Sequence, residues 1–177
     1  EKNKKKGEPY QTEYPTTPLE VRIKNGTQIA PDENPTFILP SPVALCDTSK
    51  IHLYEKVDTL WQRAKYQFGS VPGIPRQYKI VGAWNPGHEY SLELDSATFI
   101  DIYGKASPKV KQSIKVSSLD EFSTLIVSLQ QMEGKNCLLQ LLNESDKPIK
   151  EVVAKNNEAT FYYVKPGTFY LRLIVDE

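Results

Sequence analysis

The chain has 177 residues, with 22 Lys and Arg set against 22 Asp and Glu for a formal net charge of zero, a balance that gives no bulk attraction to nucleic acid or to an anionic membrane surface. Its 39% hydrophobic content is enough for an ordinary folded core, and no apolar run approaches the roughly 18–20 residues that a membrane span needs. Thirteen Pro and ten Tyr against a single Met, with no sustained 3.6-residue apolar stripe, read as short strands joined by many turns, so the expected class is all-β.

The chain opens on Glu1-Lys2-Asn3 rather than on a signal sequence, and it is expected to be a piece of something longer. Residues 1–17 carry Lys4-Lys5-Lys6, Gly7, Pro9 and Pro15 with scattered Tyr10 and Tyr14. A polar stretch broken by proline builds no core, so this is expected to be a linker or extended arm.

A first unit is expected over residues 18–104. Leu19, Val21 and Ile23 alternate with Glu20, Arg22 and Lys24 before a turn at Asn25-Gly26. Thr36–Leu39 is fenced by Pro35, Pro40 and Pro42, which predicts an edge strand or a strand end, since proline donates nothing to a ladder. Ile51, Leu53 and Val57 lie on one face of the next strand, opposite His52, Tyr54 and Lys56. Leu60 to Phe68 then reads as one alternating strand with Trp61, Arg63, Lys65 and Gln67 on its charged face. After the Gly/Pro loop Gly69–Pro75, strands are expected at Tyr78–Trp84, Tyr90–Leu94 and Ala97–Tyr103, with Gly104 ending the unit. About seven short strands at this spacing is the rhythm of an immunoglobulin-like sandwich.

Residues 105–111, polar and containing Pro108, are the expected hinge. The second unit, residues 112–177, has about six strands by the same reading. Leu138–Leu142 is apolar on both faces apart from Gln140 and is expected to be central, while Leu119–Phe122 is expected to wind one helical turn. At the end, Ala159, Phe161 and Tyr163 alternate up to Lys165-Pro166-Gly167, and Phe169, Leu171, Leu173 and Val175 alternate after it. That predicts a β-hairpin closed by a type II turn, with Pro166 presetting φ and Gly167 at φ > 0. Pro86-Gly87, followed by Tyr90, Leu92 and Leu94, is an earlier copy of the same device. The expected core residues are Leu53, Tyr66, Tyr90 and Leu92 in the first unit, and Val127, Leu139, Leu141, Phe161 and Leu171 in the second.

Asp47-Thr48-Ser49-Lys50-Ile51-His52-Leu53, Trp84-Asn85-Pro86-Gly87, Tyr90-Ser91-Leu92 and Phe99–Gly104 together resemble the Ig-like-domain surface proteins of Bacteroidetes, whose repeats are related to those of S-layer proteins. Leu139–Leu142, Ser145–Pro148 and Ala159–Arg172 look like the prealbumin-type sandwich that follows the Ig-like repeat in those proteins. The resemblance implies two tandem β-sandwiches, immunoglobulin-like then prealbumin-like, in an exported lipoprotein of the outer membrane or periplasm. It brings no catalytic residues with it. A non-catalytic envelope module that spaces, presents or docks other domains is the expectation, and its partners would be domains of the same chain or other envelope proteins.

The residues themselves carry few chemical constellations. His52 and His88 lack the partners of a zinc set, Gly-x-Ser-x-Gly and nucleotide-binding loops are missing, and the carboxylate pairs Glu93/Asp95 and Asp120/Glu121 read as surface charge. No catalytic residue, metal or cofactor is expected. Cys46 and Cys137 read as two small buried hydrophobes, with a disulfide between units as the alternative. Trp61, Trp84, Tyr54, Tyr162 and Tyr170 are either packing residues or a platform for a sugar ring, and the latter is the alternative function, a carbohydrate- or peptide-binding module. Val71, Ile74, Trp61 and Trp84 are the candidate partner or ligand contacts. Val71-Pro72-Gly73-Ile74-Pro75 is too apolar to stand free in water and is expected to pack on the neighbouring unit or a partner.

Overall fold

A computed structural model describes residues 17–132 and 134–176; the expected arm, apart from Thr17, lies outside them. The described residues are all-β. In chain order the first strands are β1 (Arg22–Lys24), β2 (Gln28–Ile29), β3 (Thr36–Ile38), β4 (Val43–Cys46), β5 (Ile51–Val57), β6 (Leu60–Arg63), β7 (Tyr66–Ser70) and β8 (Gln77–Gly82). They continue with β9 (Glu89–Leu94), β10 (Phe99–Asp101), β11 (Val110–Val116), β12 (Ser123–Ser128), β13 (Asn136–Leu142), β14 (Pro148–Val153), β15 (Glu158–Val164) and β16 (Tyr170–Asp176). Leu119–Glu121 forms a 3₁₀ turn, where the Glu121 carboxylate accepts from the Ser118 backbone N–H at 3.1 Å.

The chain divides into two units. The first takes the described part of Glu1–Thr27 with Asn34–Ala83 and Glu89–Ile114; the second takes Gln28–Glu33, Trp84–His88 and Lys115–Glu177. The change of unit therefore falls inside β11. Residues 105–111, expected to be a hinge, lie in the first unit instead. Their polarity misled because it serves the backbone locally: the Ser107 hydroxyl accepts from the Phe99 N–H at 3.0 Å, the Ser107 N–H donates to the Phe99 carbonyl at 2.9 Å, and Ser107 is buried.

In unit 1, one antiparallel sheet runs β1-β3-β8-β7 and a second places β11, β9, β5 and β6 side by side, with β4 and β10 as a separate pair. Phe37, Ile80, Phe99, Leu53, Tyr90, Leu92 and Ile114 are buried. Phe68 stacks on Tyr78 with centroids 5.6 Å apart, and Phe99 tilts against Phe37 at 5.8 Å, the offset and tilted arrangements that aromatic quadrupoles favour. The buried Tyr90 ring keeps its hydroxyl satisfied by donating to Glu55 Oε1 at 3.0 Å or the Ala83 carbonyl at 3.1 Å. Tyr66, expected in the core, is only half-buried, with its hydroxyl 2.6 Å from the Ile51 carbonyl.

Two expectations for this unit are corrected. β3 is an interior strand, paired with both β1 and β8; Pro35 and Pro40 lie just outside its three residues, so no ladder donor is lost. Leu60–Phe68 is not one strand, because β6 pairs with β5 in one sheet and β7 with β8 in the other. Ala64 and Lys65 carry the chain across, and alternation persists through such a crossing because it reports a face and not a partner.

In unit 2, β12 pairs with β15, and β13 is the central strand of β14-β13-β16. Cys137, Leu139 and Leu141 of β13 meet Ala159, Phe161 and Val164, with Leu125, Val127, Val152, Phe169 and Val175 partly buried around them. The two small sheets thus share one apolar core in a β-sandwich-like packing. β2 also belongs here, pairing in parallel with Lys115 and Val116 at the end of β11.

The expected terminal hairpin is absent. β15 and β16 lie in different sheets, and Lys165–Phe169 is a crossover between them rather than a tight reversal. Gly167 does not take the left-handed conformation, whereas Gly87 does, at φ 79°. Tyr163, at φ 53°, sits where the β12–β15 register slips; that bulge hands the inward position to Val164, which is buried, in place of Tyr163. Leu171, expected inside, is 49% exposed. Cys46, half-buried, and Cys137, buried, are both free thiols.

Candidate functional site

The richest collection of exposed chemistry in unit 1 is the outer face of the β6-β5-β9-β11 sheet. Strand alternation sends Leu53 and Leu92 inward, so Tyr54, Lys56 and their cross-strand partners lie on the opposite face, where Ser91 is covered by its neighbours. Register then fixes the neighbours: Trp61 lies opposite Lys56 and Arg63 opposite Tyr54 on the β6 side, while Ser91 lies opposite Tyr54 and Glu89 opposite Lys56 on the β9 side. Tyr54, Trp61, Ser91, Glu93 and Lys111 line a shallow cavity of about 190 Å³.

This face is held by ion pairs. Lys111 Nζ is 2.9 Å from Glu93 Oε1, and the Ser91 hydroxyl donates to the same oxygen at 3.1 Å. The Lys111 hydrogen bond, reinforced by Ser91 and by the charges of Lys111 and Lys109, outweighs partial burial and holds the Glu93 carboxyl below its usual range. Lys56 is 3.0 Å from Glu89 and lies 6.0 Å from the Trp61 ring centroid, so the indole is flanked by a cation that is itself held in place. Trp61 remains 49% exposed.

At the end of the same face His52 Nε2 is 2.9 Å from Asp95 Oδ2. That hydrogen bond, then the electrostatic pull of His52, Lys109 and Lys50, lowers the Asp95 carboxyl pKa. Glu93 and Asp95, noticed as a carboxylate pair, therefore have different hydrogen-bond partners, Lys111 and His52.

Trp84 is 5% exposed, so it offers no ligand contact. Val71 is half-buried and Ile74 is 47% exposed. Their loop is the β7–β8 connection, with the Val71 N–H on the Gln77 carbonyl at 2.9 Å and Gly73 at φ 73°. In unit 2, Tyr162 and Tyr170 are exposed. Tyr162 lines a cavity of about 270 Å³ with Asp32, Lys150 and Tyr163, where Lys150 pairs with Asp32 and lies 5.9 Å from the Tyr163 centroid. Among the described residues, no group of three or more His, Cys, Asp or Glu side chains is arranged to hold a metal ion.

Sequence reasoning named Trp61 and Tyr54 but missed Ser91, Glu93, Lys111 and Lys56 as their neighbours. The signal was there in part, since alternation already put Lys56 and Tyr54 on one face; the cross-strand partners needed the register. Comparison of the chain with protein-family profiles, with curated proteins and with solved structures finds no match.

Proposed function

We propose that the chain is a non-catalytic module of an exported cell-envelope protein, two tandem β-sandwiches, immunoglobulin-like then prealbumin-like, that space, present or dock other domains. The observation that carries the reading is the pairing of charges across the outer β6-β5-β9-β11 face, Lys111 with Glu93 at 2.9 Å and Lys56 with Glu89 at 3.0 Å. Asp47, Glu93, Asp95 and Asp101 all have carboxyl groups kept below their usual range by hydrogen bonds or by basic neighbours. Charges paired across an outer sheet face suit a surface that holds or binds. The resemblance of Asp47–Leu53, Trp84–Gly87, Tyr90–Leu92, Phe99–Gly104 and the second-unit motifs to envelope proteins supports the setting.

The second reading, a carbohydrate-binding module, is favoured by Trp61 standing half in solvent beside Tyr54 and three polar side chains. Both readings exclude turnover. Incubating the chain with a panel of oligosaccharides and peptides, followed by chromatography, tests this: the substrates should be recovered unchanged, and release of a product in proportion to protein and time would replace the proposal with a hydrolase.

A further inference from the structure

We infer that the outer face of β6-β5-β9-β11 binds one pyranose ring of a neutral glycan, with Trp61 as the stacking platform and Glu93 and Lys111 as the hydroxyl-reading edge. The inference rests on the carbohydrate-binding reading above and names its site and ligand class. Three features converge within one cavity.

The platform comes first. A pyranose presents a face of C–H groups that packs on an aromatic ring by dispersion and burial of apolar area. Trp61 is exposed enough to accept it, and the ring is already flanked by Lys56, which Glu89 holds at 3.0 Å. A platform ordered before binding loses little side-chain freedom when the ligand arrives.

The edge comes second. Glu93 and Lys111 line the same cavity as Trp61, and together they offer acceptor oxygens beside a multiple donor. Neighbouring hydroxyls of a sugar need that combination, since each hydroxyl both donates and accepts. Ser91, buried with its O–H donated to Glu93, orients that carboxylate.

Charge selects the class. Lys111 and Glu93 neutralise each other at 2.9 Å, as do Lys56 and Glu89. The cavity lining itself, with one Lys and one Glu, carries no net formal charge, which fits a neutral sugar better than a uronic acid or an amino sugar.

The chain has two tryptophans, and Trp84 is buried, so acrylamide quenching of fluorescence reports chiefly on Trp61. The experiment titrates the whole chain with neutral oligosaccharides of glucose, xylose or mannose and with oligogalacturonate, reading quenching protection and calorimetric affinity. At least one neutral oligosaccharide should protect the fluorescence. Trp61→Ala should weaken its binding by ten-fold or more and Glu93→Gln by several-fold, with thermal unfolding unchanged for Trp61→Ala. Tyr162→Ala should bind like the parent. Neutral-glycan binding that survives Trp61→Ala but is lost in Tyr162→Ala or Tyr170→Ala would overturn this site while leaving the carbohydrate reading intact. Preference for oligogalacturonate would overturn the ligand class, and failure of every sugar to bind would overturn site and reading together.

Discussion

Leu141 and Leu171 lie directly opposite one another in the β13–β16 ladder, yet Leu141 is fully buried and Leu171 is 49% exposed. The next pair on that face repeats the contrast, with Leu139 at 2% and Leu173 at 39%. β16 is an edge strand, and the buried cluster takes Cys137, Leu139 and Leu141 from β13 but from β16 only Val175, partly buried. Leu141→Ala should therefore cost unit 2 about 2–5 kcal/mol, the usual range for emptying a packed leucine site, while Leu171→Ala should cost less than about 1 kcal/mol. Urea unfolding followed through Trp84 in a Trp61→Phe background reads unit 2, because Trp84 belongs to it. Equal losses for the two variants would contradict the one-sided core.

The sequence was legible where one periodicity had one meaning. Leu53, Tyr90, Leu92, Leu139, Leu141 and Phe161 are buried as their alternation predicts, and β13 is central as its two-faced apolarity predicts. Pairing was not legible. The runs on either side of Lys165-Pro166-Gly167 alternate as a hairpin would, but each finds its partner in a different sheet, and nothing in a period of two distinguishes a reversal from a crossover. The φ of Tyr163 was hidden for a related reason, since a bulge changes which residue faces inward without changing composition. For the candidate site, Trp61 and Tyr54 could be named as residue types. Their convergence with Glu93 and Lys111 depends on four strands being brought side by side.

The two Pro-Gly turns should respond differently to the same substitution. Gly87 sits at φ 79° with open space around a built Cβ, the nearest atom being Ser118 Cβ at 3.9 Å. Gly87→Ala is therefore opposed by backbone strain alone, about 1–2 kcal/mol. Gly167 lacks that conformation; an added Cβ would stand 3.3 Å from Phe169 Cζ, a ring that need shift only slightly. Gly167→Ala should stay within about 1 kcal/mol of the parent. Chemical denaturation of both variants checks the difference, and a larger loss at Gly167 would be against it.

Asp101 anchors the Asp101–Lys105 turn. Burial alone would raise its carboxyl pKa, but the Ser41 hydroxyl at 2.5 Å and the Lys105 and Tyr103 N–H groups at 2.8 and 3.0 Å reverse the effect and lower it. A depressed acid contributes stability that is fully present above its unfolded pKa of about 3.9 and is lost as pH falls through the lower folded value. Asp101→Asn should therefore unfold earlier than the parent at pH 7, with the gap narrowing as the pH drops below about 4. A gap independent of pH would remove the ionised carboxylate from the account.

The cysteines should label at different stages. Burial, and then the charge of Asp47, push the Cys46 thiol pKa up, which reduces the thiolate available for reaction. Cys46 should react with a disulfide reagent at pH 8 more slowly than a free peptide thiol. Cys137, 2% exposed in the core of unit 2, should wait for denaturant. Mass spectrometry of the labelled chain assigns each site; prompt labelling of Cys137 in the native protein would contradict its place in the core.

Fractionation of cells carrying the full-length protein tests the proposed setting most directly. Probed with an antibody against residues 18–177, the protein should partition with the envelope, away from a cytoplasmic marker enzyme. Recovery with that marker in the soluble cytoplasmic fraction would contradict the reading of this chain as a module of an exported protein.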